Sequence, residues 1–382
     1  MSSSSATVTS IHQELVAAIL EPGRVSEWSL AQWDAQVRLS RRLRLLSRLA
    51  AAIDSHGLLD SVPPQPRRHL VSALHLSRWR TRSMRWAIER VGASLSGRGY
   101  PLVLLKGAAY LSQGLPIAMG RLPSDLDILV PKAALDDALD RLRQDGWQAM
   151  SLDDHDQRYY REWSHEAPPM RHPAHRMELD LHHNILPPIG RPSVDAALLF
   201  GALQPSPVEG WHVLSAADQF LHAAAHLFCD SVHRDRLRDL VDLDGLARAS
   251  GAGDSYWADV AARADVLGLQ EPLWMAGCIL SRLMGTPSAE SILSRLSGSV
   301  IRRWQRQGLA SLLANALTPV DHDIEPGFMA HAVDMILLTR YHLNRMPLRL
   351  LIPHLAHKWR VARQTPQAGE GGAPTEGTGA AR

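Results

Sequence analysis

The stretch VLLKGAAYLSQGLPIAMGRLPSDLDILVP, residues 103–131, decides the fold class that we predict for this chain. It begins with a short apolar run that ends at Lys106, the pattern of a buried strand that leads into a turn. The next segment, AAYLSQG, predicts a short helix that stops at Gly114. A second apolar run, DLDILV at 125–130, is closed by a proline and predicts another strand. Strand, helix and strand in close succession indicate a small α/β unit.

The rest of the chain extends this unit and surrounds it with helices. MELDLHHNI at 177–185 alternates strictly enough to predict a third strand, and apolar residues recur every three or four positions before and after the core. The predicted fold class is therefore α+β, with a small mixed-sheet core flanked by N-terminal helices and a C-terminal helical domain. We predict a disordered N-terminus at 1–10, a helical region at 11–95, the core at 96–195, the helical domain at 196–360 and a disordered tail at 361–382.

Composition excludes several function classes. The formal net charge is +2, which gives no global field that would hold the chain on nucleic acid or a membrane. Basic, aromatic-bearing stretches at 67–86 and 341–360 could touch RNA phosphates, but we interpret them as the solvent faces of amphipathic helices. The two cysteines, Cys229 and Cys278, form no C-x-x-C pattern. Without a signal-peptide pattern or a long apolar segment, we expect a cytoplasmic protein with no membrane contact.

Two aspartates open the second predicted strand. Side chains at i and i+2 of a strand point to the same face, so Asp125 and Asp127 project together while Leu126 and Ile128 point into the core. Adjacent carboxylates repel each other unless a cation lies between them. Mg²⁺ is the usual cation at such a place, because proteins hold it with one or two carboxylates plus substrate phosphates.

The third predicted strand adds two more acids on one face, Glu178 and Asp180. If this strand pairs with the second one, three carboxylates can hold two metal ions that flank an in-line phosphoryl or nucleotidyl transfer. Upstream, the strand-to-helix turn at Lys106 offers free backbone N–H groups to a phosphate, and the lysine could add a positive charge there. The alternative for Lys106 is a solvated strand end.

The run LLKGAA, then GRLPSDLDILV, then ELDLHHNI resembles the nucleotidyltransferase superfamily that includes DNA polymerase β-like and aminoglycoside nucleotidyltransferase enzymes. More closely, it resembles the bacterial family of uncharacterised nucleotidyltransferases, whose members carry L-K-G, an arginine shortly before D-x-D, and an acid followed by Leu-His. These members also have a helical His and a later Leu-x-Asp, and AAAHLFCDSVHRDRLRDLVDLDGLA at 223–247 is similar. The resemblance covers about residues 100–250.

The resemblance implies roles for individual residues. Asp125 and Asp127 match the metal-binding pair, and Asp180 matches the third acid, which helps bind the catalytic metal and can activate the acceptor hydroxyl. Gly107 matches the glycine of the phosphate-binding turn. The usual Gly-Gly or Gly-Ser is replaced here by Gly107-Ala108. The predicted nucleotide-binding residues are Lys106, Gly107, Ala108, Arg121 and Ser124, and the possible substrate contacts are Glu178, His182, His226 and Asp242.

Several of these residues have a second interpretation. Arg121 could neutralise the triphosphate or pair with the aspartates, and Ser124 could bind a phosphate or cap the turn. His182, His226 and Asp242 could contact substrate or form structural hydrogen bonds. A zinc site is not favoured by the four loop histidines, because no cysteine lies nearby and their spacing is irregular: His155, His165, His172 and His175.

The predicted function is a metal-dependent nucleotidyltransferase with two Mg²⁺ ions. It would move an NMP, by default AMP from ATP, onto an unknown acceptor hydroxyl of a small molecule, a protein or an RNA end, and release pyrophosphate. The alternatives are an inactive nucleotide-binding or protein-interaction scaffold of the same fold, which the Gly-Ala turn favours, and a metal-dependent phosphohydrolase.

Overall fold

A computed structural model of the chain describes residues 11–150, 154–174, 177–287, 289–290, 292, 296, 300–319 and 327–364. The predicted disordered N-terminus and most of the predicted tail lie outside these residues. Helix density is high at both ends and a sheet lies between them, which confirms the predicted α+β class. No helix within the described ranges combines the length and apolar character that a membrane span requires.

Four helices form the N-terminal region: α1 (Ile11–Leu20), α2 (Leu30–Arg42), α3 (Leu46–Ser55) and α4 (Pro64–Leu95). Ser29 starts α2 with a capping box, in which its hydroxyl accepts from the Gln32 N–H and the Gln32 side chain accepts from the Ser29 N–H. The 32-residue α4 packs on α3 and then reaches the sheet, where it contacts β2 and α6. The N-terminal helices are therefore joined to the core.

Strands and helices alternate through the core in this order: β1 (Leu102–Leu104), α5 (Lys106–Ser112), β2 (Asp125–Leu129), α6 (Leu135–Gln144), β3 (Gln148–Ala149), α7 (Asp154–Glu162), β4 (Met170–Arg171) and β5 (Glu178–His182). The three predicted strands are β1, β2 and β5. Leu126 and Ile128 are fully buried on the face of β2 opposite the aspartates, as the two-residue period requires.

The sheet is mixed, as predicted, and the described residues contribute seven strands to it, in the order β3-β4-β5-β2-β1-β7-β6. β2 runs antiparallel to β1 and parallel to β5. The last two strands, β6 (Gln204–Pro205) and β7 (Trp211–Val213), follow helix α8 (Ala196–Phe200), so the sheet extends beyond the predicted core boundary at residue 195. They escape sequence analysis because two and three residues are too few to show alternation and, unlike the equally short β1, neither strand is a continuous apolar run.

The helices described after the sheet are α9 (Ala216–Phe228), α10 (Leu237–Ala249), α11 (Asp254–Leu267), α12 (Gln270–Leu283), α13 (Val300–Leu317), α14 (Phe328–Arg345) and α15 (Leu348–Gln364). As the sequence predicts, Ser215 caps α9, because its hydroxyl accepts the Asp218 N–H at 3.1 Å. α9 is the centre of this region and packs on α10, α11 and α12. α15 continues to Gln364, four residues into the predicted tail.

Candidate active site

The parallel pairing of β2 and β5 brings the acidic residues together. In this register Asp125 lies beside Glu178 and Asp127 beside Asp180, so all four side chains are on one face of the sheet. One carboxylate oxygen each of Asp125, Asp127 and Asp180 lies within 4.8 Å of the others. The three acids that the resemblance singles out therefore form one cluster, which we call the acidic cluster.

Glu178 is directed to a different partner. Its carboxylate accepts hydrogen bonds from the Arg171 guanidinium, which reaches it from the neighbouring strand β4. It is not part of the group of carboxylates that converge. On the same strand face, Asp180 joins the acidic cluster and Glu178 forms a partly exposed ion pair at its side.

Lys106 neutralises one member of the acidic cluster. Its Nζ lies 2.7 Å from Asp127 Oδ1, and the Leu105 N–H donates to the Asp127 carbonyl at 3.1 Å, which ties the end of β1 to β2. Burial acts to raise the pKa of Asp127, but the Lys106 charge and a hydrogen bond from His182 outweigh burial and hold that pKa well below its usual range. Lys106 has a φ of +44°, a strained backbone conformation for a residue with a side chain.

Asp125 and Asp180, the other two members of the acidic cluster, form no ion pair with a lysine or arginine among the described residues. Burial, and next the negative charge of Asp127, raise the pKa of Asp180 to about 8, and the same two causes raise the pKa of Asp125. Asp180 Oδ1 is buried and has no hydrogen-bond partner among the described residues. An all-oxygen donor set with an unpartnered oxygen and excess negative charge fits a hard divalent cation such as Mg²⁺.

The predicted phosphate-binding turn is tightly packed. A Cβ at Gly107 would collide with the Arg121 guanidinium, so only glycine allows the arginine to lie across the start of α5. Ala108 is 1% exposed, and its methyl group belongs to the core, so it could contact a nucleotide only through its backbone. Because α5 has only seven residues, the positive charge at this turn comes mainly from Lys106 and Arg121.

Arg121 pairs with Asp242 and not with the two aspartates of β2. Its Nε donates to Asp242 Oδ2 at 2.9 Å, while Arg48 Nη2 from α3 donates to Asp242 Oδ1 at 2.8 Å. Asp242 is 4% exposed and both of its oxygens are used. We call these three residues the arginine–aspartate network. Within this network, Asp242 orients Arg121. Because both Asp242 oxygens accept hydrogen bonds from arginines, the structure does not support the predicted contact of Asp242 with substrate.

Ser124 and the two predicted histidines also have defined partners. The Ser124 hydroxyl donates to Asp125 Oδ1 at 3.1 Å. His182 Nε2 lies 3.1 Å from Asp127 Oδ1. His226 Nδ1 lies 3.2 Å from Arg236 Nη2, and the nearby charge of Lys106, together with burial, holds the pKa of His226 well below its usual range. His226 thus lies near the acidic cluster on α9, as the resemblance implies.

Four further residues reach this region without having been predicted. Arg48 enters from the N-terminal helices, and His222 lies one turn before His226 on α9, where burial and the charge of Lys106 lower its pKa to about 3. His165 and Glu166 lie beside His182. The i, i+4 spacing of His222 and His226 was a usable signal. The other residues carried none, because their contacts are distant in sequence.

Two cavities of the described structure lie away from the acidic cluster. One, of about 670 Å³, lies at the beginning of α4 and is lined in part by Arg67, Arg68 and His75. The other, of about 560 Å³, lies between the end of α4 and Trp211. No member of the acidic cluster lines either cavity. The chemistry of the carboxylates, and not the size of a cavity, identifies the candidate site.

Comparison with known proteins agrees with this geometry. The model of a family described as uncharacterised nucleotidyltransferases matches residues 29–285, which include the acidic cluster, the turn at Gly107 and the arginine–aspartate network. No curated protein and no solved structure matches the chain. Since the match spans more than half of the chain, the protein belongs to this family of nucleotidyltransferases, enzymes that transfer a nucleotidyl group.

Proposed function

We propose that the protein transfers an NMP, by default AMP from ATP, from an NTP–Mg²⁺ complex to an acceptor hydroxyl and releases pyrophosphate. The observation that carries this proposal is the convergence of Asp125, Asp127 and Asp180, of which Asp127 is the member that forms an ion pair with Lys106. A buried cluster of this kind gains most from a divalent cation bound together with a polyphosphate.

Asp125, Asp127 and Asp180 would hold the cation. When bound, Mg²⁺ would supply Lewis-acid stabilisation of charge that develops on the phosphoryl oxygens. The proposal includes two such ions, because three carboxylates on adjacent strands can hold two metal ions.

The side chains of the protein have separate tasks in this scheme. Asp180 accepts the proton of the acceptor hydroxyl, whose oxygen then forms a bond to the α-phosphorus while the bond to the pyrophosphate oxygen breaks. Lys106 precedes Gly107 in the turn, the Arg121 guanidinium lies against Gly107, and both supply positive charge for the leaving phosphates. The network with Arg48 and Asp242 keeps Arg121 across the turn.

The first experiment is calorimetric titration of ATP, GTP, CTP and UTP, with and without Mg²⁺, into the native protein. The test variants are Asp125→Asn and the pair Asp125→Asn/Asp127→Asn, and the matched control is Asp140→Asn, an exposed aspartate on α6. Metal-dependent binding in the native protein and the control, lost in both test variants, is expected. Circular dichroism checks the fold of the double variant, in which Lys106 loses its partner.

The outcome also separates the alternatives. Nucleotide binding that does not depend on metal and survives in both variants would favour the inactive scaffold. With an NTP labelled at the α-phosphate, transfer of the label to an acceptor with release of pyrophosphate supports the proposal, whereas release of inorganic phosphate alone indicates a phosphohydrolase.

A further inference from the structure

A second group of metal-ligating side chains lies next to the acidic cluster. One ligand atom each of His165, Glu166 and His182 lies within 4.8 Å of the other two. His182 Nδ1 is 3.5 Å from Glu166 Oε2, and His165 Nε2 is 3.9 Å from the same oxygen. We call these three residues the histidine cluster. Its donors are two imidazole nitrogens and one carboxylate, in contrast to the all-oxygen acidic cluster.

Backbone hydrogen bonds hold the histidine cluster together. The carbonyl of His165 accepts from the N–H groups of His183 at 2.8 Å and Asn184 at 3.2 Å, just beyond the end of β5. Glu166 forms an antiparallel bridge with His182 itself. The segment that carries His165 and Glu166 is therefore fixed to the strand that carries His182, so the convergence of the side chains follows from the sheet.

The ring of His182 has one nitrogen in use and one without a hydrogen-bond partner. Nε2 faces Asp127 Oδ1 at 3.1 Å, and because an ionised carboxylate only accepts, Nε2 must carry the hydrogen. In the neutral ring, Nδ1 then presents a lone pair to the carboxylate of Glu166. His182 is 2% exposed, and its Nδ1 has no hydrogen-bond partner in the part of the chain that is described. Two electron pairs facing each other in a buried place need a cation or a proton between them.

The surroundings decide which forms of the rings are available. Burial, followed by the positive charges of His182, Arg345 and Lys106, holds the pKa of His165 well below its usual range, so this ring is neutral and able to bind a metal. A proton competes with a metal for His182 Nδ1, because it too can lie between that nitrogen and the Glu166 carboxylate, 3.5 Å away.

We propose that His165, Glu166 and His182 bind a zinc ion at a site separate from the Mg²⁺ site of the acidic cluster. Two imidazoles and a carboxylate are a known catalytic ligand set for Zn²⁺, with the fourth position open to water, whereas Mg²⁺ prefers oxygen alone. Zinc bonds of about 2.0 to 2.1 Å place tetrahedral ligands roughly 3.4 Å apart. The observed separations of 3.5 and 3.9 Å from Glu166, with all three ligand atoms within 4.8 Å of one another, are close to this spacing.

The hydrogen bond from His182 to Asp127 would help to orient the zinc ligand at such a site. A metal-binding histidine commonly donates its other N–H to a carboxylate, which fixes the ring and its tautomer. Here that carboxylate is Asp127, a member of the acidic cluster. Zinc would therefore hold Asp127 in position through His182. The zinc site itself does not depend on whether the protein transfers nucleotides.

The test measures binding of the metal alone. Full-length protein is freed of metal with a chelator and dialysed, then titrated with Zn²⁺ by calorimetry and with Co²⁺ by visible absorption, which reports the ligands of the bound ion. We expect one ion per chain in the native protein and at least tenfold weaker binding in His165→Asn and Glu166→Gln, two variants at partly exposed positions. The control His75→Asn, an exposed helical histidine, should bind as the native protein does.

The variant Asp125→Asn distinguishes the two sites. It should keep zinc binding while it loses Mg²⁺-dependent nucleotide binding, so a failure of the nucleotidyltransferase proposal does not affect this result. The zinc proposal is overturned if the native protein binds no Zn²⁺, or if binding survives in His165→Asn and Glu166→Gln; loss of that binding in Asp125→Asn would then place the ion at the acidic cluster. In either case a proton on His182 Nδ1, and not a metal, lies between His182 and Glu166.

Discussion

The acidic cluster and the arginine–aspartate network both bury charge beside the turn at Gly107, yet they differ in how completely that charge is paired. In the network, Asp242 accepts from two arginines and neither of its oxygens is unpaired. In the acidic cluster, three carboxylates share one lysine, and a buried oxygen of Asp180 has no hydrogen-bond partner among the described residues. A buried charge whose partners are all present supports the fold, whereas one that lacks a partner indicates a bound ion.

The largest effect should come from Asp180→Asn. Loss of one carboxylate that holds the cation and accepts the proton should lower nucleotidyl transfer by about 1,000-fold, equivalent to roughly 4 kcal/mol. Without metal, the same change should leave the melting temperature unchanged or raise it, because it removes excess negative charge. Transfer of labelled nucleotide and thermal unfolding measure the two quantities, with Asp140→Asn as the control. A variant that melts lower and stays active would contradict the comparison.

The arginine–aspartate network should respond in the opposite way. Asp242→Ala leaves Arg48 and Arg121 buried without their anion, and we expect a loss of about 3 to 5 kcal/mol in the free energy of unfolding. Urea denaturation measures this loss. Asp60→Ala, which breaks an exposed pair with Arg67, should cost under about 1 kcal/mol. Equal losses of unfolding free energy in the two variants would show that burial of the network does not increase the cost of breaking it.

His233 is a third case, a buried ring whose two nitrogens have no hydrogen-bond partner in the described structure. Burial lowers its pKa to about 4, and the nearby charges of Asp230, Arg236, Arg340 and Asp334 act in opposing directions. Between pH 6.5 and about 4 the unfolded chain binds a proton at this position and the folded chain does not. Stability contributed by neutral His233 is therefore lost as the pH falls through this window.

His233→Asn should remove that dependence. The slope of unfolding free energy against pH below 6.5 should become shallower by about 1 kcal/mol per pH unit, near the limit for one proton. Urea denaturation at pH 5 and pH 7 measures the slope. The exposed His75→Asn serves as the control and should keep the native slope. An unchanged slope in His233→Asn would mean that this ring is not kept neutral by the fold.

The smallest effect should come from Glu178→Gln. Glu178 lies on the same strand face as Asp180 but pairs with Arg171 at a partly exposed position, so we expect transfer activity within about threefold of native. Comparing this variant with Asp180→Asn in the same assay separates the two acids of β5. A large loss of transfer activity in Glu178→Gln would support the substrate contact that the sequence allows for this residue.

Much of the fold could be predicted from the sequence, because the local spacing of apolar residues indicates where strands and helices form. The apolar runs around residues 103 and 126 became β1 and β2, and Ser215 caps the helix that follows it. The short strands β6 and β7 could not be predicted, since β7 is placed beside β1 by pairing with residues about a hundred positions away, and β6 joins the sheet only through β7. The same is true of the His165 segment, which meets His182 only through the sheet.

By itself the sequence determined which face of β2 carries Asp125 and Asp127 and that acids of a third strand could join them, because side-chain direction follows from the two-residue period of a strand. Only the tertiary structure decided that Asp180 converges with them while Glu178 pairs with Arg171. It also decided that Arg121 pairs with Asp242, itself held by Arg48 across 194 residues of chain. A residue's face is a local property, whereas its partner is chosen by how distant elements pack.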